Sequence, residues 1–151
     1  MLFLLFYLGS DRYVLEASKI VEVLPLIAIK RMLRSPPGIA GMIDYHGVLV
    51  PVVDLAELAV GRPAAQRLST RIIVARCPGE DGELRLLGLI AEKATETMRC
   101  APRDFVSSGL INEHAPYLGP IAKGPHGFVQ RIEVSKLLPA SVSCVLFEQC
   151  A

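Results

Sequence analysis

The sequence predicts a mainly β chain of two small lobes, each a barrel or curled sheet of about five strands, with short helices. Three observations predict it. Eleven prolines and twelve glycines are spread along 151 residues, which favours many short strands over long helices. The stretch from Gly41 to Leu55 places two apolar runs around a polar centre, the pattern of a β-hairpin. Similar motifs also recur, in the same order, in the two halves of the chain.

The elements follow in order. Leu2 to Leu8 is an apolar run that reads as a buried N-terminal strand. It lacks the basic start and small-residue cleavage site of a signal peptide, and it is too short to span a bilayer. A cytoplasmic protein is expected. Gly9-Ser10-Asp11 is a turn, and a second strand begins at Arg12. Ala17 to Leu24 holds Ile20, Val23 and Leu24 at helical spacing and is expected to form a helical turn stopped by Pro25, with a strand as the alternative. Leu26 to Leu33 is apolar but interrupted by Lys30 and Arg31, and Arg34-Ser35-Pro36-Pro37-Gly38 is a rigid loop.

The hairpin comes next. Gly47 suits its turn because it adopts φ > 0 without a Cβ penalty. Val48 to Val53 is apolar at nearly every position, as in a strand covered on both faces, and Pro51 marks an edge, a bulge or a bend because it cannot donate to a ladder. Asp54-Leu55-Ala56-Glu57 has the form of a capping box, so a short helix is expected to run to Val60 and end at Gly61. Gly61 to Ser69 is a polar connector. It sets lobe 1 at approximately 10–68 and lobe 2 at approximately 69–139, with the N-terminal strand and the C-terminal tail tying the lobes.

In the second half, Arg71 to Ala75 and Leu84 to Ile90 read as strands around a turn at Pro78 to Gly82. Ala101 to Ala115 is polar and irregular. Phe128 to Ile132 is a strand, Val134 to Leu138 is a short helix, and Val145-Leu146-Phe147 in the tail can dock as an extra strand. The repeat has three parts. Ala17 to Leu24 matches Ala91 to Met98 as A-x-K-[IA]-x-E-x-[LM]. His46-Gly47 matches His126-Gly127, and Asp54 to Leu58 matches Glu133 to Leu137. Lobes this small need mutual contact to bury enough apolar surface, and the groove between them is a natural binding site.

Composition narrows the function. The net charge is +1, from 16 basic and 15 acidic residues, which argues against general nucleic-acid or acidic-membrane binding. The four cysteines, Cys77, Cys100, Cys144 and Cys150, form no C-x-x-C pair and read as reduced thiols. Cys100, Cys144, Cys150, His114 and His126 lack the close spacing of a structural zinc site. Gly119-Pro120 and Gly124-Pro125 read as turn pairs and not as a phosphate loop. His46 and Asp44 are a tempting pair on a tight turn, but no G-x-S-x-G elbow accompanies them. No catalytic residue, metal or cofactor is expected. A small thiol- or metal-dependent enzyme using the Cys and His residues is the alternative. Lys30, Arg31 and Arg34 form a basic cluster, either a solvated face or a match for an acidic partner.

Several stretches together resemble the CheW family of chemotaxis coupling proteins. Gly41 to Leu55 is similar to the signature G-[VI]-I-N-L-R-G-x-[VI]-[VL]-P-V-[IV]-D-L, fitting at Gly41, Ile43, Gly47, Pro51, Val52, Asp54 and Leu55. Ile20 to Val23 resembles V-x-E-[IV], and Gly88 to Glu92 resembles G-[LI]-[LVI]-V-D with Glu92 for Asp. Glu133 to Leu138 resembles D-[IL]-x-[KR]-L-[LI]. The resemblance covers about residues 3–139. It implies two SH3-like five-stranded β-barrels around a shared hydrophobic core. It also implies a non-catalytic adaptor that joins a methyl-accepting chemoreceptor's cytoplasmic tip to the regulatory domain of a CheA-type histidine kinase, at receptor arrays on the inner face of the membrane. The partner-binding residues it implies are Asp44, Tyr45, His46, Gly47, Val21, Glu22, Arg34 and Ile39. The chain departs from the signature at the turn, where Asp44-Tyr45-His46 replaces Asn-Leu-Arg. Arginine is a fixed cation with a fork of donors and histidine is not. The departure points to a specialised array, such as a surface-sensing system of the Wsp type that controls a diguanylate cyclase.

Overall fold

In the computed structural model, residues 1–78, 83–109, 113–124 and 127–138 are described. The organising strand is β1 (Leu2–Leu8). Its side chains alternate between two apolar clusters. Phe3 and Leu5 enter one with Val14, Ala122 and Val129, while Leu4, Phe6 and Leu8 enter the other with Leu15, Val53, Ile73 and Leu89. A strand with apolar side chains on every position needs cover on both faces, and β1 has it.

β1 pairs antiparallel with β2 (Asp11–Glu16), Leu8 opposite Asp11. Ala17–Lys19 is a 3-10 turn, and β3 (Ile20–Pro25) follows. The helical expectation therefore holds for one short turn. Ile20, Val21 and Val23 are β-branched, and they favour the pleated backbone once an edge to pair with is available. β4 (Ile39–Tyr45) and β5 (Val48–Asp54) form the expected hairpin. Val50 to Val53 are buried, but Val48 and Leu49 are exposed at its tip, which corrects the expectation of a run covered throughout. β5 also pairs parallel with a later strand from Val52 onward, so Pro51 stands just before that second ladder begins.

Helix α1 (Leu55–Val60) ends at Gly61 as expected, where the Gly61 N–H donates to the carbonyls of Ala56 and Glu57. β6 (Arg71–Pro78) then pairs antiparallel with β3 and with β7 (Leu84–Arg99). β7 runs well past the expected end at Ile90. Its first part pairs with β6 and β5, and its last part with β1. The chain closes with β8 (Phe105–Val106), β9 (Leu118–Gly124), β10 (Gly127–Ile132) and a 3-10 turn at Val134–Lys136. β9 was not expected: Gly119-Pro120 lies inside a strand and not in a turn. Gly119 fits there because a Cβ would press 3.1 Å from the Arg131 carbonyl oxygen of β10. Most of the expected turn at Pro78 to Gly82, the His126 half of the repeat, and the tail beyond Leu138 lie outside the described residues.

Among the described residues ten strands are hydrogen-bonded together, eight along the path β3-β6-β7-β1-β2-β10-β9-β8, with β5 attached at β7 and β4 at β5. β3, β6, β7, β5 and β4 enclose a third cluster of Ile43, Val50, Val52, Ile72 and Ile90. The pairings divide into two sheet regions, one of β1, β2, β8, β9 and β10 with the end of β7 and one of β3, β4, β5 and β6 with the start of β7, and the largest cluster draws side chains from both. The chain is mostly β, and no helix among the described residues is long and apolar enough to cross a membrane.

Candidate partner-binding site

The hairpin tip is a two-residue turn. Tyr45 and Val48 are the last paired residues, and His46 and Gly47 between them take φ of 51° and 85°. Positive φ at both central positions is the turn whose twist matches the flanking strands. The Asp44 carboxylate closes it by accepting the Gly47 N–H at 2.7 Å. His46 is thereby held outward, its side chain 78% exposed.

The tip does not stand alone. The Tyr45 hydroxyl donates to Glu22 Oε2 at 2.7 Å, and His46 Nε2 lies 3.9 Å from the same oxygen. The Tyr45 and His46 rings meet edge to face at 4.5 Å. Glu22 is on β3 and Tyr45 ends β4, the two terminal strands of that sheet region, so this contact draws its outer edges together. Because the phenol donates to Glu22 and faces its charge, loss of the phenolic proton is disfavoured and the Tyr45 pKa is raised above 10.0. Val21, beside Glu22, is partly exposed on the β3 edge.

Val21, Glu22, Asp44, Tyr45, His46 and Gly47 thus share one exposed corner, and Val48 and Leu49 extend it with apolar surface. The sequence signal for those two was their position next to the turn, where a strand outruns its neighbours. Arg34 is exposed in the preceding loop, with no contact to the tip among those described. Ile39 is brought elsewhere: it is 5% exposed in the largest cluster, opposite Val53 at the base of the hairpin.

Gly41 explains how the hairpin is anchored. Lys30 and Met42 exchange two backbone hydrogen bonds of 2.8 Å, and a Cβ on Gly41 would collide with the Lys30 carbonyl oxygen. Only glycine admits that approach.

The two described thiols, Cys77 and Cys100, both have raised pKa values. Cys77 is 7% exposed and its pKa is pushed up by burial. The Cys100 thiol is pushed up by burial and by Asp104, which its thiol approaches at 3.8 Å. A raised thiol pKa leaves less of the nucleophilic thiolate at neutral pH. Among the described residues no three His, Cys, Asp or Glu side chains converge to hold a metal.

Comparison with known proteins adds to this geometry. The family described as CheW-like domain matches residues 2–142. The "Chemotaxis protein CheW" of Klebsiella aerogenes is 28% identical over 142 residues, covering 90% of this chain and 80% of that protein. The crystal structure of the scaffolding protein TtCheW from Thermoanaerobacter tengcongensis superposes with a TM-score of 0.80 at 21% identity. It covers 91% of this chain and 87% of that one, and it shows a shared fold.

Proposed function

The chain belongs to the CheW-like domain family, and from that premise we propose that it is a non-catalytic adaptor coupling a chemoreceptor to a CheA-type histidine kinase. The observation that carries this reading is the match across residues 2–142, together with an exposed corner at the signature hairpin. A surface of this kind suits recognition: two apolar side chains stand beside a carboxylate, a phenol and an imidazole, on a backbone locked by its own hydrogen bonds. A rigid tip loses little freedom on binding. The kinase's regulatory domain is its proposed partner there, with the receptor's cytoplasmic tip as the second ligand, in the cytoplasm at receptor arrays. The His46 and Tyr45 replacements fit a specialised array.

The test is a titration of the parent and of His46→Ala and Leu49→Ala against the isolated kinase regulatory domain and a receptor-tip fragment. Both substitutions are at exposed positions, and surface changes shift stability within about ±0.5 kcal/mol. The expected outcome is normal folding with weaker kinase binding, by about 2 kcal/mol for a central contact and less than about 1 for a rim contact. His46→Arg restores the family's fixed cation at the tip, where His46 Nε2 lies 3.9 Å from Glu22, and is expected to bind at least as well. Parent-like binding by His46→Ala and Leu49→Ala would move the partner surface elsewhere, and no binding by the parent would reject the adaptor reading.

A further inference from the structure

The charges at the hairpin corner are few and one-sided. Glu22 on β3 presents a half-exposed carboxylate whose described partners are the Tyr45 hydroxyl at 2.7 Å and His46 Nε2 at 3.9 Å, both at the same oxygen. No lysine or arginine forms an ion pair with Glu22 among the described residues, and neither β3 nor the β4–β5 hairpin contains one. The other acid at the tip, Asp44, is committed to the Gly47 N–H. The titratable and charged groups described around the imidazole are thus Glu22 from β3 and Asp44 and Tyr45 from β4, and Val48 of β5 adds none. His46 is the one side chain of the hairpin that can become a cation. A neutral imidazole offers one donor nitrogen and one acceptor, whereas the charged ring offers two donors and a full positive charge. A small side-chain rotation brings that charge onto Glu22 Oε2 from 3.9 Å.

We propose that protonation of His46 gates this corner, so that the chain holds its partner more tightly as pH falls through the range in which histidine takes up a proton. The inference rests on the adaptor reading and adds a regulation to its binding surface. A partner that covers Val48, Leu49 and the turn strips water from the Glu22 carboxylate. A carboxylate taken from water without a cation is costly, and a cation beside it offsets that cost. The covered corner therefore favours the imidazolium, and binding takes up a proton. Affinity rises as pH falls from about 8 to about 5 and levels off once the ring is charged. Tyr45 supports the contact by holding the shared oxygen in place from the other side.

The test is a titration of the full chain against the isolated kinase regulatory domain at a series of pH values from about 8 to about 5.5, the span over which histidine changes charge. The parent is expected to tighten by about fivefold or more across the series. His46→Gln is expected to stay at the weak level and His46→Arg at the tight level, each with only the pH dependence that belongs to the partner. Glu22→Gln removes the carboxylate and is expected to flatten the parent's response. In the free chain, the backbone amide signals of Glu22 and Tyr45 are expected to follow the imidazole's titration in nuclear magnetic resonance spectra, and to lose that step in His46→Gln. A parent whose affinity does not change with pH, a response that persists unchanged in His46→Gln or in Glu22→Gln, or amides that ignore the imidazole would overturn the proposal and leave the adaptor reading standing. No binding by the parent at any pH would remove that reading and this inference with it.

Discussion

Gly47 sits at φ 85° with open space where a Cβ would go, so a side chain there meets backbone strain and not a clash. Gly47→Val is expected to lower stability by about 1–2 kcal/mol, read as a drop in the thermal midpoint. His46, at φ 51°, already bears such strain, and asparagine tolerates this conformation better. His46→Asn is therefore expected to raise stability by a few tenths of a kcal/mol, up to about 1. His46→Asp would set a second carboxylate beside Glu22, so any loss of binding by that variant mixes partner contact with local repulsion. Tyr45 gives a pH signature. Its pKa is raised above 10.0 on folding, so its bond to Glu22 contributes fully below pH 10.0 and the contribution is lost as pH rises through the raised value. The gap in midpoint between the parent and Tyr45→Phe is expected to shrink above that pH. A gap that stays constant would mean the hydroxyl is not bonded as described.

Among the elements, α1 shows how much one side chain organises. The Asp54 carboxylate is 5% exposed and accepts three backbone N–H groups, two in the first turn of the helix and one from Ala64 in the following connector. Glu92 Oε1 holds the same connector through Ala65 N–H at 2.8 Å. Asp54→Ala removes a cap and strands one buried and two half-buried donors, so a loss of about 2 kcal/mol is expected in chemical denaturation, with Asp54→Asn losing less. The repeated A-x-K segments show the converse, that like sequences take unlike forms. Ala17–Lys19 is a 3-10 turn, whereas Ala91 to Lys93 stays within β7, with Lys93 at φ 52° in a bulge between the Leu5–Glu96 and Tyr7–Glu92 pairs. The bulge lies where β7 leaves β6 for β1 and re-aims the strand.

At the scale of the whole molecule, the largest cluster joins both sheet regions through β1. Phe6 is fully buried there and stacks on Tyr13. Phe6→Ala is expected to cost about 3–5 kcal/mol and to raise amide exchange in β5 and in β10 together, because neither region keeps its cover alone. Faster exchange confined to one of the two would mean that the regions unfold independently. β6, which follows the 61–69 connector, pairs with β3 from before it, so the hydrogen bonding crosses the connector instead of stopping there.

The sequence by itself determined what is written in neighbouring residues. The hairpin turn follows from Gly47 and its polar flank, α1 from Asp54 and Gly61, and the buried β1 from its unbroken apolar run. The signature residues from Gly41 to Leu55 marked the family and the exposed tip. Only the tertiary structure decided what depends on contacts far apart in the chain. Tyr45 reaches Glu22 across 23 positions. Ile39 is buried because Val53 lies opposite it, and Val48 and Leu49 are exposed because the hairpin outruns its neighbours. β9 exists although glycine and proline disfavour a strand, because β10 and β8 supply hydrogen-bond partners on both sides. Strand propensity is set by what a strand packs against, and a linear sequence does not name that neighbour.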